Sequence, residues 1–464
     1  MTSLMLRDVE LDGVPGSAVV IRDGVIAEVG IGLEPAENTD VIDGGGGALV
    51  PGLHDHHIHL HATAAERLSV RCGPPQVRTA DDLARVLRTA PGDSVRGVGY
   101  FESVAGELDS EALDLMHAQR PVRVQHRSGA LWVLNSAAAA LARLDTADHP
   151  GVERYGDGRP TGRVWRADTW LRDRLPPTAP PPLDAIGAQL AAYGVTGLTD
   201  ATPDLSPSSL TALADAHVVG ALPQRLHLLG APSGFVSPSG TLTSGPYKIV
   251  LADSGLPDLH ALAETIRSVH AAGRGVAVHC VSREAFAILL AAFTEVGARP
   301  GDRIEHGALI PPESIDDLRL LGLRVVSQPG FLADRGDSYL RDVDPRDLGD
   351  LYRCRSLLDA GVPLALSSDA PYGPLDPWRI IEAATTRTTE SGAVLGHPEI
   401  LDPSQALAGF LSAADDPGGQ PRTIRIGRPG DVVLLRAPLA DVLAAPSSSS
   451  TVRATVIGGR VVHG

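Results

Sequence analysis

Eight short apolar runs, several of them separated by helical patterns, constrain the fold of this 464-residue chain more than any other feature. Segments such as DLHALAETIRSVHAAG and AFAILLAAFTEVG have the 3.6-residue period of an amphipathic helix. Strands and helices that alternate in this way predict an α/β protein, and eight strands predict a (β/α)8 barrel of the TIM type. In chain order the runs are LVPGLHDHHIHL, GVTGLTDA, QRLHLLG, YKIVLAD, GVAVHCV, DRIEHGAL, LRVVSQPG and VPLALSSDA.

Both ends of the chain have another pattern, in which short alternating apolar segments are broken by Asp-Gly and Gly-rich turns. SAVVIRDGVIAEVG near the start and STVRATVIGGRVVHG near the end are typical of β-hairpins. We therefore expect residues 1–52 and 420–464 to build one small β domain, and residues 53–419 to build the barrel. Roughly 130 residues separate the first barrel strand from the second, so residues 65–185 are predicted to be an insertion.

The charge balance and the cysteines limit the classes of partner. A formal net charge of −16 without basic clusters argues against binding to nucleic acid or to an anionic membrane surface. The chain has no apolar run of membrane-spanning length and no secretory pattern at its start, and its three cysteines are widely separated. We expect a soluble cytoplasmic protein that acts on a small molecule, and the sequence leaves its oligomeric state open, a homo-oligomer included.

Five histidines lie within HDHHIHLH at 54–61, where the first of the eight runs ends. His57 and His59 point to the same face of an extended strand, because the side-chain period of a strand is two. Two imidazoles on one face can bind one metal ion. Taken alone, the pattern is equally typical of a His-rich surface loop, so the assignment depends on the other strands.

Four more residues with metal-binding chemistry lie at or near the C-terminal ends of predicted strands. His279 and His306 close the fifth and sixth strands, Lys248 lies in the fourth, and Asp369 follows the eighth. Barrel enzymes build their active sites at this end of the strands. Each residue alone is more typical of a core histidine or a solvated side chain, but their shared position predicts a metal site.

These residues, in this order, resemble those of the amidohydrolase superfamily of metal-dependent hydrolases. The opening motif of that family, Pro-Gly-apolar-Asp-x-His-x-His, is matched by Pro51, Gly52 and Leu53 and, after one additional residue, by DHHIH at 55–59. RIEHG, SSDAPYGPLDPW and the C-terminal GDVVLL and VIGGRVV look like the branch that contains N-substituted formamide deformylase. The resemblance implies a barrel joined to a small β-sandwich that both chain ends form, with an insertion after the first barrel strand.

The same resemblance implies two zinc ions per chain, one held by His57 and His59 and the other by His279 and His306. Two neighbouring cations require a bridging anion, and Lys248 is the only lysine in the chain. A neutral lysine amine can combine with CO₂ to give a carbamate with two anionic oxygens, whereas the guanidinium of arginine stays charged. We therefore predict a carboxylated Lys248 between the two ions, with Asp369 as a further metal ligand.

The predicted reaction is hydrolysis of a C–N bond in an amide, a formamide or a cyclic amide. Metal coordination lowers the pKa of water to about 7, so that hydroxide can attack an sp² carbon. Asp369 then acts as general base and general acid, taking the proton of the water and passing it to the departing nitrogen. Glu305 and Asp55 are candidates for orienting the histidines, and Gln328, which ends the seventh strand, is a candidate for contact with the substrate.

The sequence leaves two other functions open. A mononuclear zinc deaminase of the same superfamily would use the histidines and Asp369 without Lys248. Such enzymes usually have a glutamate shortly after the histidine of the fifth strand, and here Glu284 lies five residues beyond His279. A relative that has lost catalysis and acts as an interaction protein would lack some of the ligands, and none is missing from this sequence.

Overall fold

Helices and strands alternate along the middle of the chain, and strands predominate at its two ends. The computed structural model describes residues 3–176, 180–237, 239–252, 255–446 and 451–464, with only the backbone described at Thr169. The strands are β1 (Ser3–Leu11), β2 (Val14–Arg22), β3 (Val25–Ile31), β4 (Asp40–Asp43), β5 (Leu49–Pro51), β6 (Leu53–Ile58), β7 (Val70–Arg71), β8 (Val95–Tyr100), β9 (Val122–His126), β10 (Leu131–Leu134), β11 (Val152–Arg154), β12 (Pro160–Trp165), β13 (Val195–Asp200), β14 (Arg225–Leu228), β15 (Leu242–Ser244), β16 (Tyr247–Val250), β17 (Val276–Cys280), β18 (Arg303–His306), β19 (Arg324–Ser327), β20 (Leu364–Leu366), β21 (Val432–Leu435), β22 (Val452–Ile457) and β23 (Arg460–His463). The α-helices are α1 (Leu60–Arg67), α2 (Ala80–Thr89), α3 (Glu102–Ala105), α4 (Ser110–His117), α5 (Ser136–Leu141), α6 (Asp168–Arg172), α7 (Asp184–Ala192), α8 (Pro207–Val218), α9 (Leu259–Ala271), α10 (Arg283–Val296), α11 (Ile315–Leu321), α12 (Gly330–Asp342), α13 (Arg355–Asp359), α14 (Pro377–Thr386), α15 (Pro403–Ala408) and α16 (Leu439–Ala444).

Two parallel sheets form the middle of the chain. Their strand orders are β15-β14-β13-β6 and β16-β17-β18-β19-β20, and every neighbouring pair in them is parallel. Helices α9, α10 and α11 connect β16, β17, β18 and β19 in turn, as parallel strands require. The predicted α/β fold is therefore confirmed, and each of the eight apolar runs contains a strand.

The sequence did not predict β15. This strand and β16 together stand where the sequence predicted a single fourth strand. β15 pairs with β14, whereas β16 pairs with β17, and Gly245 and Pro246 lie between them. Proline has no N–H to donate to a strand ladder, so a proline at this point breaks the strand in two. Only three residues remain in β15, too few to show the alternation of a strand.

Backbone hydrogen bonds join the first and the last of these parallel strands just beyond β20. The N–H of Asp369 donates to the carbonyl of His57 at 2.8 Å, and the N–H of His59 donates to the carbonyl of Ala370 at 2.9 Å. The C-terminal ends of β6 and β20 therefore lie side by side, which brings residues 57, 59 and 369 to one place.

Two four-stranded sheets contain the end segments of the chain, in the orders β3-β2-β1-β4 and β23-β22-β21-β5. The Asp23-Gly24 pair makes the predicted hairpin turn, and both residues have positive φ, 48° and 82°. Buried residues of β1, β2, β21 and β22 belong to one apolar cluster, which includes Leu6, Ile21 and Val456. The two sheets therefore share a core.

The chain divides into two compact units, one comprising Met1–Leu60 with Leu183–Gly464 and the other His61–Pro182. The second unit has a six-stranded sheet in the order β11-β12-β10-β9-β8-β7, with apolar clusters of its own. The domain limits predicted from the sequence, 1–52 with 420–464, 53–419 and 65–185, stay predictions. No helix in the described part of the chain has both the length and the apolar character needed to cross a membrane.

Candidate metal centre

His57, His59 and Asp369 form a group that could hold a metal ion, with one ligand atom of each lying within 4.8 Å of the others. His57 is in β6, His59 follows that strand directly, and Asp369 lies just beyond β20. The Nε2 atoms of His57 and His59 are 3.4 and 3.3 Å from Oδ1 of Asp369. The structure thus brings together three of the predicted ligands through the contact between β6 and the segment after β20.

His306, at the end of β18, and His279, in the adjacent strand β17, lie close to this group. The ring centroid of His306 is 4.8 Å from that of His57 and 4.4 Å from that of His279. Nδ1 of His306 is 3.8 Å from Oδ2 of Asp369. In the ladder between β17 and β18, His279 is paired with Glu305 and Cys280 with His306, so both histidines lie at the same C-terminal edge.

Lys248, in β16, is buried with 4% of its surface exposed. Its Nζ has no hydrogen-bond partner among the residues that the structure describes. Burial lowers the pKa of this lysine to about 8, although the carboxylates of Glu305 and Asp369 favour its charged form. The lower pKa increases the fraction of neutral amine near neutral pH, which is the form that can react with CO₂.

The Nδ1 atom of each of three candidate histidines, His57, His59 and His306, has an oxygen atom as its partner. Nδ1 of His57 contacts Oε2 of the buried Glu305, and Nδ1 of His306 lies 2.9 Å from Oε1 of Gln328. Nδ1 of His59 lies 3.3 Å from Oγ1 of Thr202. A carboxylate or amide oxygen can only accept, so His57 and His306 carry their proton on Nδ1 and keep a lone pair on Nε2.

Two acceptor atoms face each other at the centre of this group. Burial lowers the pKa of His57 well below its usual value, so the ring is neutral and its Nε2 atom carries a lone pair. Nε2 of His57 and Oδ1 of Asp369 are both buried, and neither has a hydrogen-bond partner within the described residues. A lone pair opposite a carboxylate oxygen at 3.4 Å is repulsive unless a cation lies between them, so the donor set fits a metal ion.

The backbone is strained at two of the candidate ligands. His306 has a φ of 70° and Asp369 a φ of 50°, in the left-handed region that non-glycine residues seldom occupy. Asp369 is held there by its own N–H, which donates to His57, and by its carbonyl, which accepts from the N–H of Tyr372 at 2.8 Å. Strained backbone of this kind concentrates at functional sites, where the surrounding structure fixes it.

Charged groups around the histidines form a buried chain of contacts. Nε of Arg303 donates to Oε1 of Glu305 at 2.6 Å, and both side chains are fully buried. Burial by itself raises the pKa of Glu305, but Arg303 and Lys248 outweigh it, so the carboxyl stays ionised. Glu305 therefore contacts the ring of His57 as an anion.

Asp55 and Gln328 differ in what they contact. Oδ1 of Asp55 accepts from the N–H groups of His57 at 3.2 Å and Ser368 at 3.0 Å, so it holds backbone rather than an imidazole. Burial raises the pKa of Asp55 to about 6. Gln328 is 1% exposed; its side chain lies against Nδ1 of His306, a candidate ligand, and also donates to Oγ of Ser367 at 2.9 Å. The contacts of Gln328 with His306 and of Thr202 with His59 were not predicted, and no local sequence pattern indicates them.

Glu284, the residue considered for a deaminase, lies in the first turn of α10 and is exposed. An exposed helical glutamate is typical of a solvated helix surface near the N-terminus, where the helix dipole favours it. Its position gives no support to the mononuclear deaminase.

Comparisons with known proteins agree with the motifs. A protein-family model described as an amidohydrolase family matches residues 40–463. The chain is similar to N-substituted formamide deformylase of Arthrobacter pascens, with 26% identity over 93% of this chain and 92% of that protein.

Solved structures are similar over nearly the whole chain. An uncharacterised metal-dependent hydrolase from Pyrococcus horikoshii has 18% identity and a TM-score of 0.74, over 99% of this chain and 100% of that one. N-isopropylammelide isopropylaminohydrolase from Burkholderia multivorans has 18% identity and a TM-score of 0.57, over 100% and 98%. Such low identity shows a shared fold, and the family resemblance that the motifs indicated is confirmed by the family match.

Proposed function

This chain belongs to the amidohydrolase family, and from that premise we propose that it is a metal-dependent hydrolase of C–N bonds. The reacting group is an amide, a formamide or a cyclic amide. The similarity to N-substituted formamide deformylase supports this substrate class. The proposed architecture is a (β/α)8 barrel that closes between β6 and β20, with a β-sandwich from the two end sheets, supported by their shared core.

One observation carries the proposal: Nε2 of His57 and Oδ1 of Asp369 are acceptors that face each other, buried, at 3.4 Å. We propose that a divalent zinc ion binds at this point, held by His57, His59 and Asp369, and that His279 and His306 hold a second ion. Zinc at such a centre supplies Lewis acidity, which acidifies water and polarises a carbonyl oxygen. Asp369 accepts the proton of the attacking water on its carboxylate and delivers it to the departing nitrogen.

Lys248 is proposed to carry a carboxyl group that bridges the two ions. Its neutral amine forms an N–C bond with CO₂ and releases one proton to solvent, which leaves an anionic carbamate with two oxygens. The buried Nζ without a partner and the pKa of about 8 support this reaction, since an ammonium ion could not undergo it.

The test is a metal count with a mass measurement on the purified protein and on Lys248→Arg. We expect two zinc ions per wild-type chain and, by native mass spectrometry of the intact folded protein, a mass increased by one CO₂ that Lys248→Arg lacks. Lys248→Arg cannot form the carbamate, so it should bind no more than one ion and lose hydrolysis of amides in a substrate panel. A thermal melt of both metal-free proteins controls for folding.

Two results would contradict the proposal. Two ions bound by a protein with unmodified Lys248 would exclude the bridge, and full activity of Lys248→Arg would exclude any need for it. One ion per chain with unmodified Lys248 would instead support the mononuclear deaminase. Full metal loading without activity on any amide would support the non-catalytic interaction protein.

A further inference from the structure

His59 is the one candidate histidine that lies outside a strand. It follows β6 and directly precedes α1, so it stands in the turn between a strand and a helix. Its side chain is 18% exposed, whereas that of His57, within β6, is fully buried. A metal ligand in such a turn needs contacts from other segments to fix its ring.

Asp200, the last residue of β13, binds the backbone next to His59. Its Oδ2 accepts a hydrogen bond from the N–H of Leu60 at 2.9 Å, and its Oδ1 accepts one from the N–H of Thr202 at 3.1 Å. Leu60 follows His59 directly and begins α1, where the first N–H groups have no partner within the helix. One oxygen of Asp200 therefore holds the backbone that carries His59.

The other oxygen of Asp200 acts on the ring of His59 through Thr202. Oγ1 of Thr202 lies 3.3 Å from Nδ1 of His59, and Nε2 of the same ring is 3.3 Å from Oδ1 of Asp369. A hydroxyl oxygen can accept the proton of Nδ1, which leaves the lone pair of Nε2 on the side of Asp369. Asp200 thus holds both the backbone of His59 and the residue that contacts its ring.

The chemistry of this position requires an aspartate. Asp200 is fully buried, and burying a carboxylate costs free energy unless hydrogen bonds compensate for it. Its two hydrogen bonds within the described part of the chain use one oxygen each. Asparagine has almost the same shape but only one acceptor oxygen, so it could satisfy only one of the two N–H groups.

We propose that Asp200 is a positioning residue, which holds His59 in the orientation that binds the metal ion. The inference rests on the proposed function. Asp200 acts through Leu60, whose N–H sets the backbone after His59, and through Thr202, whose hydroxyl sets the ring. A ligand that is fixed in advance loses less conformational freedom on binding, so the ion binds more tightly.

The experiment measures the zinc affinity of Asp200→Asn, by competition with a chelating dye, and the visible absorption spectrum of the cobalt(II)-loaded protein. We expect a zinc affinity 10- to 100-fold below that of the wild type, the usual effect of losing a residue that orients a metal ligand. The absorption bands of cobalt(II) depend on the geometry of its ligands, so they should change as well. A loss of stability alone would not change the spectrum of the metal-saturated protein.

Asp302→Asn is the matched control. Asp302 is also buried, and its carboxylate accepts from the N–H groups of Val276 at 2.8 Å and Arg299 at 2.7 Å, beside a contact with His270. It directly precedes β18, at the N-terminal side of the sheet. Both substitutions should lower the melting temperature of the metal-free protein, but Asp302→Asn should keep the zinc affinity and the cobalt spectrum of the wild type.

Thr202→Val removes the hydroxyl and keeps the shape of the side chain, so it decides the question where Asp200→Asn does not fold. Wild-type affinity and spectrum in Asp200→Asn, or in Thr202→Val in that case, would overturn the role of Asp200 alone. Equal losses of affinity in Asp200→Asn and Asp302→Asn would overturn it as well, since they would reflect general destabilisation. A wild type that binds no metal ion would overturn the proposed function, and the role of Asp200 with it.

Discussion

At the scale of single residues, the candidate centre depends on which nitrogen of each imidazole is occupied. The Nδ1 atom of His57 contacts Glu305, that of His306 contacts Gln328, and that of His59 contacts Thr202. An imidazole whose Nδ1 donates to a fixed oxygen offers its Nε2 lone pair in one direction. Residues outside the predicted ligand set would thus orient the three rings for metal binding.

Gln328→Leu should weaken zinc binding. The substitution removes the oxygen that lies 2.9 Å from Nδ1 of His306, so the ring can rotate and its proton can move to Nε2. Loss of such a partner typically reduces metal affinity 10- to 100-fold. Titration of the metal-free protein with zinc, in competition with a chelating dye, measures the change.

Gln224→Leu is the matched control for that experiment. Gln224 is also fully buried, but its Nε2 donates to the carbonyl of Gly187 at 2.8 Å, and it touches no candidate ligand within the described residues. Its substitution should leave zinc affinity unchanged. Equal affinity in Gln328→Leu and wild type would mean that Gln328 does not hold His306.

At the scale of elements, the break between β15 and β16 needs a group that satisfies its backbone carbonyls. Arg274 provides it, since its guanidinium donates to the carbonyls of Gly245 at 2.5 Å and Pro246 at 3.3 Å. It also donates to the carbonyls of Leu229 and Ala231, both at 2.7 Å. One side chain thus joins the segment after β14 to the break that precedes β16.

Arg274→Met should destabilise the protein by about 2 kcal/mol or more, because hydrogen bonds from a charged donor are lost and several carbonyls are left without it. The aliphatic part of methionine keeps most of the packing, so the effect reports the guanidinium. Urea unfolding of the metal-free protein, followed by circular dichroism, measures it as a lower midpoint.

Arg267→Met tests whether any arginine would give the same result. Arg267, on α9, is exposed and pairs with Glu264 and Glu295 at the surface, where such pairs contribute little. Its substitution should change stability by less than about 0.5 kcal/mol. If the two variants unfold at the same urea concentration, Arg274 does not support the strand break.

The strands of this fold could be predicted from sequence because each is a local pattern. The eight apolar runs each contain a strand, and the residue types at their C-terminal ends indicated the candidate ligands. β15 was missed because three residues carry no period. Gln328 was predicted as a candidate for contact with the substrate, but its contact with His306 could not be predicted, since the two residues lie 22 positions apart in the chain.

At the scale of the whole molecule, acid affects the chain in two opposite ways. The formal net charge of −16 at pH 7 becomes less negative as the pH falls, which relieves repulsion. Buried histidines act against this, because they are neutral in the folded state and charged in the unfolded state. Burial is the main reason that the pKa values of His54, His56 and His227 are low, and neighbouring arginines lower them further.

His227→Asn isolates one of these groups. Burial, with Arg303 and Arg274, lowers the pKa of His227 to about 3, whereas the unfolded chain titrates near its usual value of 6.5. Between those values only the unfolded chain binds the proton, so stability falls as the pH falls, by about 1.4 kcal/mol per pH unit. Asparagine can still reach Oγ1 of Thr243, the partner of Nδ1 at 2.8 Å, but does not titrate.

Urea midpoints of the metal-free proteins from pH 6.5 to 5 should therefore fall less steeply in the variant, and the two curves should run parallel above pH 7.5. Equal slopes below pH 6.5 would mean that His227 is protonated in the folded protein.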